Sequence, residues 1–370
     1  MDLSVMFFGS DDASGPGRHA AKYEDILAIA AEADRLGFVA VWTPERHFQQ
    51  FGQVFPNPGV LGAALAVATE RIGIRAGSLV LPLHHPLRVV EDWAVVDNLS
   101  GGGRIGISVA AGWHSADFVL APGHYADRRD RAVRDIPLLR RLWAGEAAEF
   151  VDGTGRIVAV RPQPRPVSPA LPLWLTTSGR AETWETAGRL RTNVLGAAIA
   201  YTREQLAERI GRYRKAYDRG YDSAYDSAYD SAYDSAAPAA PAGGAERGTV
   251  TLMAHAYLGV SDEEVRRKVR SPLMDYLKSY VAQTASNREA DDRVTALTEA
   301  QRETLAEFAF ERYLAWGGLL GTEPTCRKTL LDLRDLGVDE VACFVDFGLA
   351  REDVLAGLRR LAVIRRDIAI

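Results

Sequence analysis

The chain has 370 residues, 47% hydrophobic and 25% charged, a make-up ordinary for a globular protein with a sizeable core. Lys and Arg total 44 against 49 Asp and Glu, a net charge of −5 with no basic run, which argues against nucleic-acid binding. No apolar stretch approaches the ~20 residues of a membrane helix. No signal peptide follows Asp2, and Cys326 and Cys343 form neither a disulfide framework nor a metal motif, so the cytoplasm is the expected compartment.

Ser4–Gly9 is an apolar run and reads as the first strand. A polar loop over Ser10–Arg18 leads to a helix at Tyr23–Leu36, with Ile26, Ala30 and Ala33 on one face and Gly37 as its stop. Phe38–Thr43 is the second strand. It runs into WTPERHFQQFG, where Glu45 and His47 read either as an acid/base pair or as a solvated ion pair in a capped turn. The next helix leads to a third strand that carries Gly77 and Ser78–Leu81 and ends at Pro82, which cannot donate to a sheet ladder. His84 and His85 follow in a turn. No carboxylate or cysteine completes a metal set there, so they read as packing or hydrogen-bonding residues.

Pro86 suits the first turn of a helix whose apolar residues fall at Leu87, Val90 and Ala94, and Arg88 can pair with Glu91 and Asp92. Gly101–Gly103 stops that helix, and Arg104–Val109 is strand four. The small-residue loop after it, with Gly112, Trp113 and His114, suits the close approach of a flat ligand. Tyr125–Trp143 is a basic amphipathic helix, and Ala144–Ala170 is an irregular excursion with a short hairpin. Trp174–Thr177 is strand five and Ala181–Gly188 its helix. Between them Thr177, Ser178 and Gly179 offer backbone N–H groups and hydroxyls to an anion, although any helix N-cap looks similar. Thr192–Leu195 and Thr202–Asp218 form the sixth unit.

Tyr221–Ala236 is four copies of Tyr-Asp-Ser-Ala, and residues 219–248 read as a low-complexity surface loop. Thr249–Leu258 is strand seven, carrying His255, and Ser261–Ala282 is its helix. Residues 283–318 read as a helical insertion, and a last helix-strand pair and Arg351–Arg366 close the chain. The count is eight strand-helix units with extras after strands four and seven. That predicts one (β/α)8 TIM barrel over residues 1–370.

WTPERHF, PNPGVLGAALA, GSLVLPLHHPLRVVEDWAVVDNLSGGGR, AAGWHSADFVLAP and YADRR together resemble the luciferase-like flavin monooxygenases, in the branch associated with non-ribosomal peptide and polyketide synthases. The resemblance implies a (β/α)8 barrel that takes reduced FMN from a separate flavin reductase and uses it with O2. It also implies a small or carrier-protein-tethered amino-acyl or acyl substrate, and a homodimer. Carried over, Gly77 and Ser78 lie under the flavin ring, joined by a cis peptide that favours the bent, reduced form. Ser108 falls where bacterial luciferase has a reactive cysteine, and Gly112 and Trp113 border the same pocket. Thr177, Ser178 and Gly179 hold the phosphate. Val109 replaces a phosphate-binding arginine, which leaves Arg129 as the expected cation. Arg46 falls where luciferase has its catalytic histidine, and His47 matches the next one. His47 or His114 then manages the proton, with Glu45 orienting His47. No GxGxxG follows a strand, which fits a barrel without a nicotinamide domain of its own. Two rivals on the same barrel stay open: a deazaflavin-dependent dehydrogenase, and a non-catalytic flavin-binding protein.

Overall fold

A computed structural model describes residues 1–9, 16–49, 52–177, 179–219, 247–286 and 298–368. The Tyr-Asp-Ser-Ala repeat, Ser178 and residues 287–297 of the expected helical insertion lie outside the described residues. Eight strands form a closed parallel ring: β1 (Asp2–Met6), β2 (Ala40–Thr43), β3 (Gly73–Val80), β4 (Ile105–Ala110), β7 (Leu173–Thr176), β8 (Asn193–Ala197), β9 (Val250–Leu258) and β11 (Glu340–Phe344). The register from Asp2↔Glu340 to Met6↔Phe344 joins β1 to β11, and Val194↔Val250 begins the β8–β9 pairing that shuts the ring. Every residue of β2 and β11 is buried. That is the pattern of strands covered on both faces, as a parallel barrel requires.

Eight helices follow the ring strands and pack their apolar faces on its outside: α1 (Pro16–Leu36), α2 (Pro58–Ala68), α3 (Pro86–Ser100), α4 (Arg128–Ala144), α5 (Ala181–Arg189), α6 (Arg203–Asp218), α9 (Glu323–Asp335) and α10 (Arg351–Ile368). Their ends follow local chemistry. Pro86 opens α3, where His85 Nδ1 accepts the Leu87 N–H at 3.3 Å, and Gly101 closes it at φ 79. Thr202 and Gln205 form a reciprocal capping box at the start of α6. Two further helices, α7 (Asp262–Ser286) and α8 (Glu299–Ala315), pack Val269, Leu273, Tyr276, Phe310 and Tyr313 against Phe344 and Phe347 at the C-terminal end of β11. They therefore cover part of that rim. β5 (Ala148–Val151) and β6 (Ile157–Val160) make the expected hairpin after α4.

The barrel interior is closed by side chains. Arg75 lies between the rings of Trp42 and Trp174, 4.9 and 4.6 Å from their centroids, and binds Glu340 at 2.8 Å. Ser4 donates to the same carboxylate at 2.5 Å, and the Trp42 indole donates to Ser4 at 2.9 Å. These residues come from β1, β2, β3, β7 and β11, so their contact is possible only inside the ring. A charge buried here is compensated by its partner, which makes the group a plug below the rim.

Several boundaries differ from the sequence reading. β1 ends at Met6, not Gly9, because its partner β11 ends at Phe344. α1 begins at Pro16, so Arg18 is helical; nothing between Arg18 and Tyr23 breaks a helix. Asp127 leaves the helical region at ψ 17, so α4 begins at Arg128 and the chain before it turns through two 3-10 segments, Ser115–Leu120 and Pro122–His124. A short strand that the sequence reading missed, β10 (Leu319–Gly321), pairs with Ala256–Leu258 of β9. Among the described residues no helix is long and apolar enough to cross a membrane.

Candidate active site at the C-terminal rim of the barrel

Glu45 lies just beyond the end of β2, and its side chain is fully buried. Its backbone N–H donates to Ser78 O at 3.0 Å, and its Oε2 accepts the Val80 N–H at 2.6 Å. One residue therefore pins both ends of the segment 78–80. Its Oε1 takes His47 Nε2 at 2.9 Å and His84 Nε2 at 2.6 Å. A carboxylate oxygen only accepts, so both rings present Nε2–H to it. Burial pushes the Glu45 carboxyl up, but the hydrogen bonds from His47, His84 and Val80 outweigh burial and hold it below the usual range. Burial works against a charged His84, yet its bond to Glu45 wins and raises its pKa. The Glu45–His47 pair is thus buried rather than solvated, and His84 has the hydrogen-bonding role expected of it. Phe48, at φ 55, turns the loop after His47 through a conformation rare for any residue but glycine.

The Gly77–Ser78 peptide is cis, as the resemblance implied, and the β3–β4 register shifts between Gly77 and Leu79. A Cβ at residue 77 would stand 2.9 Å from the Trp42 ring and 3.1 Å from the Met6 methyl, so the wall beneath leaves room only for glycine. Ser78 Oγ and Ser108 Oγ both meet Thr176 Oγ1, at 2.5 and 2.7 Å. Three hydroxyls from β3, β4 and β7 therefore converge at the rim.

At the expected phosphate site, Thr177 Oγ1 stands 3.4 Å from both Leu195 O and Tyr201 Oη. The Gly179 N–H donates to Tyr201 Oη at 3.1 Å, and Trp184 Nε1 donates to the same oxygen at 3.2 Å. Tyr201, which the sequence reading passed over, organises this corner. Gly179 has φ 100, and among the described residues nothing lies within 4 Å of where its Cβ would stand. Arg180 caps α5 without a side-chain hydrogen bond. Open space beside uncapped first-turn N–H groups fits an anionic group, with Thr177 and Gly179 forming its wall. Arg129 is exposed on α4, whereas its neighbour Arg128 is buried, donating to Gly112 O at 3.3 Å and Tyr125 O at 2.8 Å.

His114 is buried, and its Nδ1 accepts the Ala116 N–H at 3.3 Å. Trp113 is partly exposed and packs edge-on to His114 and 6.5 Å from Tyr280 of α7. Tyr280 stacks on Tyr276, and Tyr276 meets His255, whose ring is also enclosed by Tyr313, Phe344 and Phe347. Burial drives the His255 pKa down to about 3, so this ring is neutral. Arg46 is buried with its guanidinium 4.0 Å above Phe8. Asp117, also unflagged by sequence, is buried beside His114. The rim therefore has a polar side, with Glu45, His47, His84, His114 and Asp117, and an aromatic side built largely from α7 and α8. Among the described residues no group of three His, Cys, Asp or Glu could hold a metal ion.

A closed parallel barrel with its polar side chains gathered on the C-terminal rim is an enzyme architecture. The profile of the luciferase-like monooxygenase family matches residues 3–340, and the chain belongs to that family. A relative from Acinetobacter baylyi, the oxygenase component of a flavin-dependent trigonelline monooxygenase, is 24% identical over 347 residues, covering 92% of this chain and 88% of its own length. Among solved structures, the monooxygenase RslO1 from Streptomyces bottropensis superposes with a TM-score of 0.75 at 21% identity, and each chain is covered completely. The oxygenating constituent of 3,6-diketocamphane monooxygenase from Pseudomonas putida, in complex with FMN, superposes with a TM-score of 0.68 at 13% identity, covering 98% of this chain and 96% of that one. At these identities the two structures speak for the fold.

Proposed function

We propose that this chain is the oxygenating component of a two-component flavin monooxygenase of secondary metabolism. It takes reduced FMN from a separate reductase and transfers one oxygen atom from O2 to a small or carrier-tethered amino-acyl or acyl substrate. The observation that carries this reading is the rim itself. Glu45 holds two histidines and the segment 78–80 beside the converged hydroxyls of Ser78, Ser108 and Thr176. The relative from Acinetobacter baylyi, similar over most of its length, is by name the oxygenase component of such a system.

Bound reduced flavin supplies two electrons and the site at which O2 is activated. Ser78, Ser108 and Thr176 would offer hydroxyls to the flavin, with Gly112 and Trp113 beside the same pocket. The N-terminus of α5 would take the phosphate, with Thr177, Ser178 and Gly179 in the chain leading to it. Its cation is Arg128 or Arg129: Arg129 was named by the sequence, and Arg128 is the one buried near Gly112. His47 moves a proton at its Nδ1, since its Nε2–H is committed to Glu45. The helices α7 and α8 keep water from the rim through their aromatic faces. Exposed Val60 and Val67 on α2 and Val95 and Leu99 on α3 support a homodimer. The test is incubation with reduced FMN, O2 and carrier-bound amino acids, read by intact-protein mass. A gain of one oxygen atom on the substrate is expected. Substrate oxidation with an oxidised deazaflavin and none with reduced FMN and O2 would replace this reading with the dehydrogenase.

A further inference from the structure

Glu45 and Asp117 are both buried on the polar side of the rim, and their surroundings differ in kind. Glu45 accepts from three donors: His47, His84 and the Val80 N–H. Among the described residues, none donates to Asp117 Oδ1, although Asp117 is more than nine-tenths buried. His114 stands beside it, with Nδ1 at 4.0 Å from Oδ1. The lone pair of that nitrogen takes the Ala116 N–H at 3.3 Å, so it gives no proton to the carboxyl. Oδ1 is then a buried acceptor with no donor among the described residues. A buried charge left without a donor is costly, and a proton on the carboxyl removes that charge.

Building on the proposed function, we infer that Asp117 is the acid of this rim: it begins each turnover protonated and donates, while Glu45 stays ionised and positions the histidines. The groups that act on Asp117 are His114 from its own segment and His47, Arg46 and Glu45 from the loop after β2. Burial raises its pKa and prevails over the opposing pull of the basic groups around it. Two carboxyls whose environments drive them apart divide the acid and base roles between them. The proton passes from Asp117 to an oxygen atom of the bound reactants and returns from solvent. No electron moves on Asp117, and the carboxyl is unchanged over a cycle.

Infrared spectroscopy of the flavin-free protein near neutral pH tests the resting state. The wild type should show a protonated carboxyl band that Asp117→Asn lacks and Asp117→Glu keeps. Loss of no band in Asp117→Asn overturns the inference. The second arm is the pH profile of substrate-free oxygen consumption by the reduced-FMN complex, which releases hydrogen peroxide. Wild type and Asp117→Glu should slow as pH rises through the titration of the carboxyl, and Asp117→Asn should be slow and flat there, by about a hundredfold. Superimposable wild-type and Asp117→Asn profiles overturn the acid role, even with the infrared band present. Failure of the wild type to bind reduced FMN is a different result: it removes the proposed function, while the infrared comparison still locates the proton.

Discussion

Replacing Glu45 with glutamine keeps the shape of the side chain and removes its charge. The carboxylate now accepts three hydrogen bonds, at 2.6 Å from Val80 and at 2.9 and 2.6 Å from His47 and His84. A glutamine has one acceptor oxygen, and its amide group would turn N–H toward at least one of these donors. Breaking a buried ionic pair by removing one partner costs about 3–5 kcal/mol, so Glu45→Gln should lose close to that amount. The loss should depend on pH, and the sign follows from both partners. Glu45 titrates below its ordinary 4.5 when folded, so its contribution is present above pH 4.5 and is lost as pH falls through the folded value. His84 titrates above its ordinary 6.5 when folded, so its contribution is complete below pH 6.5 and is lost as pH rises through the folded value. The difference between wild type and Glu45→Gln should therefore be greatest between pH 4.5 and 6.5 and shrink on both sides. Urea unfolding across that range measures it. An equal difference at about pH 5.5 and about pH 9 would refute the claim that ionised Glu45 and protonated His84 are paired.

Gly77→Ala should lower unfolding free energy by about 1–3 kcal/mol, because the new methyl meets Trp42 and Met6 in a packed wall; an unchanged urea midpoint would contradict that geometry. His255→Phe should flatten acid unfolding. The folded ring resists protonation down to about pH 3, so below its ordinary 6.5 the wild type loses about 1.4 kcal/mol per pH unit from this group, and the variant does not. His47→Ala should fold and bind flavin normally yet yield no product, and a fully active variant would move the proton role elsewhere. Tyr201→Phe removes the oxygen that holds the Gly179 N–H and the Trp184 indole, and should change reduced-FMN affinity while leaving the polar side of the rim intact, as a calorimetric titration would show.

The barrel was legible because its strands are apolar runs punctuated by Gly and Pro and its helices keep a 3.6-residue period. The Gly77–Ser78 step, the Glu45–His47 pair and the hairpin after α4 followed from local pattern and resemblance. What escaped depends on contacts distant in sequence. His84 reaches Glu45 across 39 positions, which no local spacing reveals. Tyr201 reads as a loop tyrosine until the ring closes and brings Thr177, Gly179 and Trp184 to its hydroxyl. Asp117 sits in a 3-10 turn whose burial is set by the fold around it. The choice between Arg128 and Arg129 turns on where α4 begins, and a single residue of helical phase separates a buried guanidinium from an exposed one.

The central claim is that this rim receives reduced FMN and brings it to O2. An anaerobic titration with reduced FMN, followed by mixing with oxygenated buffer, tests it most directly. The account predicts one equivalent of reduced FMN bound per chain, weaker binding of oxidised FMN, and oxygen consumption by the complex. Absence of reduced-FMN binding, or binding of a deazaflavin in its place, would contradict it.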